Sequence, residues 1–255
     1  MILTDTHSHL YAEEFKDDIE AVIQRCLESK VQRIFLPNID EETIAPLKEL
    51  HKLNPDLFYP MMGLHPCSVK KDNLESQLET IHTELIQGGY CAVGETGIDL
   101  HWDKSSLPEQ TRAFKAQIEW ALELSLPVVI HARESTKEIL EILKEYDNSL
   151  KGVFHCFSGN ELQAQEVIER GMYIGLGGVL TFKNSDLKNI VKNIEMKHLV
   201  LETDSPYLAP TPFRGKRNES SYTLTIAEYL ADLKGISLEE VAMSTTGNSI
   251  KLYGV

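Results

Sequence analysis

The sequence predicts an α/β fold in which short buried strands alternate with amphipathic helices along the whole chain. Three observations indicate it: eight short apolar runs, helix-like patterns between them, and a length of 255 residues with no linker, repeat or low-complexity run. Dense apolar runs are typical of strands buried on both faces of a parallel sheet. Eight strand–helix units on about 250 residues are the count and length of a (β/α)8 barrel, or TIM barrel. We therefore predict one domain over residues 1–255. A doubly wound open sheet is the alternative, but no Gly-x-Gly-x-x-Gly follows the first run.

The predicted strands are short and nearly continuous in apolar residues. In chain order they are residues 2–5, 31–36, 57–62, 91–94, 128–131, 152–155, 172–176 and 199–202. The first segment between strands places apolar side chains on one helical face. These are Phe15, Ile19, Val22, Ile23 and Leu27.

Helix ends are predicted from capping chemistry. A Ser followed three residues later by Glu has the spacing of a capping box, which satisfies free N–H groups at a helix start. Three pairs fit: Ser135 with Glu138, Ser158 with Glu161, and Ser237 with Glu240. Gly171 and Gly235 stand where such helices end.

Composition limits the class of protein. A hydrophobic fraction of 42% with 25% charged residues is that of an ordinary globular protein. Because no apolar run approaches a membrane span and no export signal is visible, we expect a cytoplasmic protein with no membrane contact, and a monomer. The four cysteines are scattered and are interpreted as free thiols. A net charge of −14 disfavours a broad nucleic-acid-binding surface but leaves room for a local basic strip or bound metal ions.

Ionisable side chains follow the predicted strands at the end where barrel enzymes carry their chemistry. They are His7 and His9 after the first strand, Glu95 after the fourth, His131 and His155 at the fifth and sixth, and Asp204 after the eighth. Taken singly, each is explained by a hydrogen-bonded core histidine or a helix-capping carboxylate. Burying all six together without metal or charge partners would cost several kcal/mol for each. The set therefore favours a metal site.

The number of ligands predicts two ions. A structural zinc site closes with four ligands, usually including sulfur. Histidine and carboxylate can hold two divalent ions about 3.5–4 Å apart, with a bridging water whose pKa is lowered until hydroxide forms near neutral pH. Glu95 is the expected bridge, since its carboxylate offers one oxygen to each ion. Mixed nitrogen and oxygen ligands suit Zn, Mn, Co or Mg.

Six motifs in this order resemble those of the TatD family, metal-dependent deoxyribonucleases of the amidohydrolase superfamily. They are Thr4–His9, Gly63–Pro66, Gly94–Asp99, Pro127–Arg133, His155–Gly159 and Leu201–Leu208, and the resemblance extends from residue 2 to the C-terminal helix.

The resemblance implies a ligand set and an activity. It assigns a first metal site to His7, His9, Glu95 and Asp204, and a second to Glu95, His131 and His155. The implied activity is hydrolysis of phosphodiester bonds in DNA, largely as an exonuclease on single strands. Two departures from the family pattern concern substrate grip: Cys67 stands where a polar residue, commonly His, is usual, and Ser220 stands where Pro is usual.

Further residues are expected to act around these ligands. Asp204 and Glu95 are the predicted catalytic groups, with Asp204 orienting the attacking hydroxide and taking its proton. Glu202 shares the strand face of Asp204 and is expected to hold a ligand from behind. For substrate phosphate we predict His65, Arg133 and the loop cations Arg214, Lys216 and Arg217. The alternatives are structural packing for His65 and an ordinary solvated loop for the cations. Trp102 either stacks a nucleotide base or covers the barrel, and we leave this open.

Two other functions stay open at this stage. A superfamily relative could use the same bridging hydroxide on a C–N or ester bond of a small molecule. A metal-binding scaffold without catalysis would keep the ligands but lack an accessible pocket.

Overall fold

Eight parallel strands, each followed by at least one helix, form the chain in the computed structural model, which describes residues 1–255. The strands are β1 (Leu3–Asp5), β2 (Val31–Leu36), β3 (Phe58–Pro60), β4 (Val93–Asp99), β5 (Val128–Arg133), β6 (Gly152–Phe154), β7 (Tyr173–Leu176) and β8 (Leu199–Leu201). The helices are α1 (Ile19–Glu28), α2 (Ile44–Leu53), α3 (Leu74–Ile86), α4 (Leu107–Leu124), α5 (Thr136–Leu143), α6 (Glu161–Glu169), α7 (Leu187–Asn193), α8 (Thr223–Lys234) and α9 (Leu238–Tyr253).

The strands close into a barrel. Hydrogen bonds join β1, β2 and β3 into one group of strands, and β4 to β8, in sequence order, into a second group. A parallel bridge between Met62 and Val93 joins the two groups of strands. A second parallel bridge, between Ser8 and Ser205, joins the end of β8 to the end of β1. The Thr6 N–H also donates to the carbonyl of Leu201 at 2.9 Å. The predicted (β/α)8 barrel is therefore confirmed.

Apolar side chains form two cores because strand residues alternate between the faces of the sheet. Outward-facing residues such as Ile34 and Ile130 pack under the helices in the larger core. Inward-facing residues such as Phe35 and Val129 fill the barrel interior. The last turn of α9 contributes Tyr253, whose ring stacks on Phe35 with centroids 4.3 Å apart.

Strand β4 differs from the sequence prediction in a way that matters for the site. The prediction of residues 91–94 stopped where the apolar run ends, but the strand continues to Asp99. Its pairing with β5 extends through Gly97 opposite His131 and Asp99 opposite Arg133. Gly97 has φ +143°, and a Cβ there would collide with the carbonyl oxygen of His131, so the close approach of the two strands requires glycine.

One of the three predicted capping boxes is present. Ser237 accepts from the Glu240 N–H at 3.2 Å and starts α9 as expected. The boxes at Ser135 and Ser158 are wrong. At α5, the Ser135 hydroxyl donates to the carbonyl of Ile98 at 2.5 Å. At α6, Asn160 caps the helix in place of Ser158 and accepts from the Gln163 N–H at 3.0 Å. Asparagine caps a helix as well as serine does, so the helix starts two residues later.

Gly235 ends α8 in a left-handed conformation, as predicted. None of the helices combines the length and the apolar composition that crossing a membrane requires.

Candidate metal centre

The six predicted ligands converge at the carboxyl ends of the strands. His7 and His9 follow β1, Glu95 lies within β4, His131 lies within β5, and His155 and Asp204 follow β6 and β8. All have side chains no more than 15% exposed. Parallel strands of a barrel bring these ends to one rim, which is why residues far apart in sequence meet here.

One group of ligand atoms surrounds Oε2 of Glu95. His7 Nε2 lies 3.1 Å from this oxygen and His9 Nε2 lies 3.6 Å from it. Asp204 Oδ1 lies 3.8 Å from His7 Nε2 and 3.6 Å from His9 Nε2. Four possible ligand atoms therefore face one point, and they are the four that the resemblance assigns to the first site.

A second group surrounds the other oxygen of Glu95. His131 Nδ1 lies 2.8 Å from Oε1, and His155 Nε2 lies 3.5 Å from it. His65 Nε2 joins this group at 3.4 Å. Glu95 thus presents one oxygen to each group, which is the arrangement expected of a bridging carboxylate.

A carboxylate stands behind each of two histidines, on the side away from the centre. His131 donates from Nε2 to Asp99 Oδ2 at 2.9 Å, so Nδ1, which lies 2.8 Å from Glu95 Oε1, is the nitrogen that would bind an ion. His155 Nδ1 lies 3.1 Å from Glu202 Oε1, an ion-pair distance without a hydrogen bond, and its Nε2 is the nitrogen that faces the centre. A carboxylate behind a histidine is the usual way to fix the tautomer of a metal ligand.

His9 is held by a hydroxyl instead of a carboxylate. The Tyr11 hydroxyl donates to the carbonyl of Pro37 at 2.5 Å, so it accepts from His9 Nδ1 at 2.8 Å. The Nδ1 atoms of His7 and His155 are buried without a hydrogen-bond partner.

His65 carries its proton on the nitrogen that faces the centre. Its Nδ1 accepts from the Cys67 N–H at 3.1 Å, so the neutral ring carries its proton on Nε2, the atom that faces Glu95. A protonated Nε2 donates a hydrogen bond and has no lone pair for a metal. The geometry thus separates His65 from the ligands and suits the predicted contact with a phosphate or leaving-group oxygen.

The charges of the centre favour bound cations. Burial raises the pKa of Glu95, but the neighbouring histidines lower it further, so that the pKa lies well below its ordinary value and the carboxylate is ionised. Burial lowers the pKa of His155, but the carboxylates of Glu202, Glu95 and Asp204 outweigh burial and raise it to about 10. The centre therefore retains a proton to balance its carboxylates, and divalent ions would supply that positive charge. The donor set fits Zn, Mn or Co more closely than Mg, since histidine is abundant.

A cavity of about 630 Å³ opens above the ligands. His9, Glu95, His131, His155 and Asp204 all line it. The predicted contact residues His65 and Arg133 also line it, and so does Trp102. Substrate entering this cavity would reach the ligands directly.

The structure does not bring the loop cations to this cavity. Arg214, Lys216 and Arg217 are absent from its lining. The Arg217 guanidinium is occupied by Asp18, with N–O distances of 2.8 and 2.7 Å, and that of Arg214 stacks 3.6 Å from the ring centroid of Phe182. Their contact with substrate remains a prediction.

The two departures from the family pattern have different surroundings. Cys67 lies on the cavity wall. Ser220 is fully buried beneath the site, where its hydroxyl lies 3.1 Å from that of Ser8. Of the two departures, only the one at Cys67 faces the space where substrate would bind.

A closed barrel with histidines and carboxylates clustered at the carboxyl ends of its strands is the architecture of metal-dependent hydrolases. The family model described as "TatD related DNase" matches residues 4–254, and this chain belongs to the TatD family.

Proteins of similar sequence and structure match this chain over nearly their whole length. The chain is 40% identical to the uncharacterized metal-dependent hydrolase YabD of Bacillus subtilis, with all of both chains covered. It is 30% identical to the uncharacterized metal-dependent hydrolase YcfH of Escherichia coli, over all of this chain and 97% of that one. The crystal structure of the TatD homologue YjjV of E. coli superposes with a TM-score of 0.93 at 28% identity, covering 99% of this chain and 98% of that one. The chain is thus a metal-dependent hydrolase of the TatD type.

Proposed function

We propose that this protein hydrolyses phosphodiester bonds of DNA, as an exonuclease that prefers single strands, with two divalent ions in its centre. The observation that carries the proposal is the placement of Glu95, whose two oxygens each face a separate group of ligand atoms at the floor of one open cavity. Two-metal sites of this kind are common in enzymes that cleave phosphate esters. The family description "TatD related DNase" supports DNA as the substrate.

The chain's own residues have distinct tasks around the reacting phosphate. When bound, two divalent ions supply positive charge for the phosphate oxygens and lower the pKa of water. Asp204 lines the cavity and lies between the two groups, 3.6 Å from His9 Nε2 and 3.8 Å from His155 Nε2, where it can orient a water molecule and accept its proton. His65 offers its Nε2 proton to a phosphate or leaving oxygen. Asp99, Glu202 and Tyr11 keep the ligating histidines in one orientation.

Phosphate is held with little help from basic side chains. Arg133 is the one Lys or Arg among the residues that line the cavity. In a chain of net charge −14, bound ions must therefore neutralise most of the phosphate charge. Substrate affinity is expected to depend on the ions as strongly as catalysis does.

A second candidate is hydrolysis of an ester or C–N bond in a small molecule. The cavity wall favours it at one point, since Ile39, Ala132, Val179 and Leu208 give it an apolar side that a small hydrophobic substrate would fill. Saturation by a small lactone or amide, with no cleavage of any oligonucleotide, would identify this activity.

The test is cleavage of an end-labelled single-stranded oligonucleotide. Protein stripped of metal is reconstituted with Mg, Mn, Co or Zn and compared with Glu95→Ala and His131→Ala. We expect a metal-dependent ladder that both substitutions reduce by at least about a thousandfold. Absence of cleavage by protein shown to hold two ions would contradict DNA as the substrate.

A further inference from the structure

The exposed aromatic side chains of this protein are confined to one place. The chain has two Trp, nine Tyr and eight Phe. Among these only Trp102 and Tyr207 are exposed, at 73% and 52%. Both line the cavity above the metal centre. Single exposed apolar residues are ordinary, but two large rings left in water at the mouth of the same cavity are not required by packing.

The backbone that carries Trp102 is fixed to the second ligand group. Asp99 Oδ1 accepts from the N–H groups of His101 at 2.9 Å and Trp102 at 3.3 Å, while its Oδ2 accepts from His131. The Arg133 guanidinium lies 5.4 Å from the centroid of the Trp102 ring. The Asp99 carboxylate therefore holds both the candidate ligand His131 and the backbone that carries Trp102.

Tyr207 is fixed in the same manner beside the first ligand group. Its N–H donates to the carbonyl of Asp204 at 2.8 Å, and its own carbonyl accepts from the buried Asn218 amide at 2.6 Å. Its ring centroid lies 6.4 Å from that of His9. Each ligand group thus has one exposed aromatic ring close by, on a backbone held by hydrogen bonds.

We propose that Trp102 and Tyr207 are stacking platforms for the bases of the two nucleotides that flank the phosphate at the metal centre. This inference rests on the proposed function and deepens it. An aromatic ring stacks on any base, so such a site binds a strand without reading its sequence. In a duplex both faces of each base are covered by neighbouring bases, and unstacking costs a few kcal/mol. The two rings therefore favour unpaired ends and single strands.

The first experiment measures cleavage kinetics of Trp102→Ala and Tyr207→Ala on two strands. One strand is an ordinary oligonucleotide. The other has a single abasic residue next to the cleaved bond, and it is made in two versions, with the missing base on either side of that bond. On the ordinary strand we expect each variant to raise KM by roughly 5- to 150-fold, the equivalent of ~1–3 kcal/mol of stacking, with a smaller change in kcat. On the strand that lacks the matching base, variant and parent should be equal. Equal losses on both strands would overturn the inference.

The matched control is Trp120→Phe. Trp120 packs against His82, with ring centroids 4.8 Å apart, and does not line the cavity. This variant should cleave both strands like the parent, and Trp102→Phe should retain most of the affinity because phenylalanine also stacks.

A binding experiment separates this inference from the proposed activity. In Trp120→Phe, Trp102 is the sole tryptophan, so its emission reports directly on stacking. A phosphorothioate-linked oligothymidylate should quench it, and an abasic strand of equal charge should not. Quenching without cleavage of the ordinary strand would refute DNA hydrolysis and support the stacking site. Binding without quenching, equal affinity for Trp102→Ala and its parent, or no binding would overturn the stacking site.

Discussion

At the scale of single residues, the centre depends on groups that stand behind the ligands. Asp99 hydrogen-bonds to His131, Tyr11 hydrogen-bonds to His9, and the Glu202 carboxylate lies 3.1 Å from His155 Nδ1. A ligand histidine that is free to rotate would lose both its orientation and part of its basicity.

Asp99→Asn tests this directly. The amide can place its NH₂ group or its oxygen toward His131, but it lacks the charge that keeps the proton on Nε2. We expect affinity for the second ion and hydrolytic activity to fall by about 10- to 100-fold. Metal titration and steady-state kinetics measure the two effects.

Asp147→Asn is the matched control, because Asp147 is exposed and bonds only to Ser149. Its affinity for metal should equal that of the parent. If Asp99→Asn also bound two ions with the parent's affinity, the role assigned to the carboxylate would be wrong.

The candidate ligands were easier to find in the sequence than the residues that hydrogen-bond to them. His7 and His9 could be paired because alternate residues share a face, and Glu95, His131, His155 and Asp204 because each follows an apolar run. Asp99 was missed as a functional residue because the glycines at 94 and 97 made the strand look finished. Glu95, Gly97 and Asp99 alternate along one extended strand, so a longer β4 would have placed both carboxylates on one face. The Tyr11 contact could not be found, because it depends on the path of the chain after β1.

At the scale of elements, a cluster of ion pairs joins α1 to the segment that follows β8. Arg25 on α1 donates two hydrogen bonds to Glu219, at 2.8 and 2.7 Å, and so ties α1 to the segment that follows β8. Arg217 binds Asp18 next to it. Arg217, one of the loop cations predicted to contact phosphate, belongs to this cluster, and sequence alone could not show its acidic partner next to α1.

Glu219→Gln should weaken this connection in a pH-dependent way. Burial raises the pKa of Glu219, but Arg25 and Ser221 lower it more, to below its ordinary value of 4.5. A lowered pKa means that the ionised form stabilises the fold above about pH 4.5 and that this contribution is lost on further acidification. At pH 7 we expect the substitution to reduce the free energy of unfolding by about 1–2 kcal/mol, since Arg25 is partly in water. Denaturant unfolding between pH 7 and 3 measures it.

Glu13→Gln serves as control, because Glu13 pairs with Lys16 at 3.0 Å on an open surface. It should leave stability unchanged. A difference between Glu219→Gln and the parent that stayed constant down to pH 3 would show that the ionised carboxylate is not the stabilising form.

At the scale of the whole molecule, barrel closure explains why six distant residues make one centre. The alternation of strands and helices was sufficient to predict the barrel, and the barrel places every strand's carboxyl end on one rim. Alternation alone does not divide the ligands into two groups. The family resemblance implied that division, and the orientation of the Glu95 carboxylate between β1 and β5 produces it. Position after β8 does not determine which way a side chain points, so contact of the loop cations with substrate stays a prediction.

The central claim is that Glu95 joins two metal sites, and the most direct measurement is metal content per chain. Parent protein, His9→Ala and His131→Ala are saturated with Zn or Mn, freed of excess ions and analysed by mass spectrometry of the elements. We predict about two ions per chain in the parent and about one in each variant, because His9 and His131 belong to different groups. One ion in the parent, or two in both variants, would contradict a centre built around a bridging Glu95.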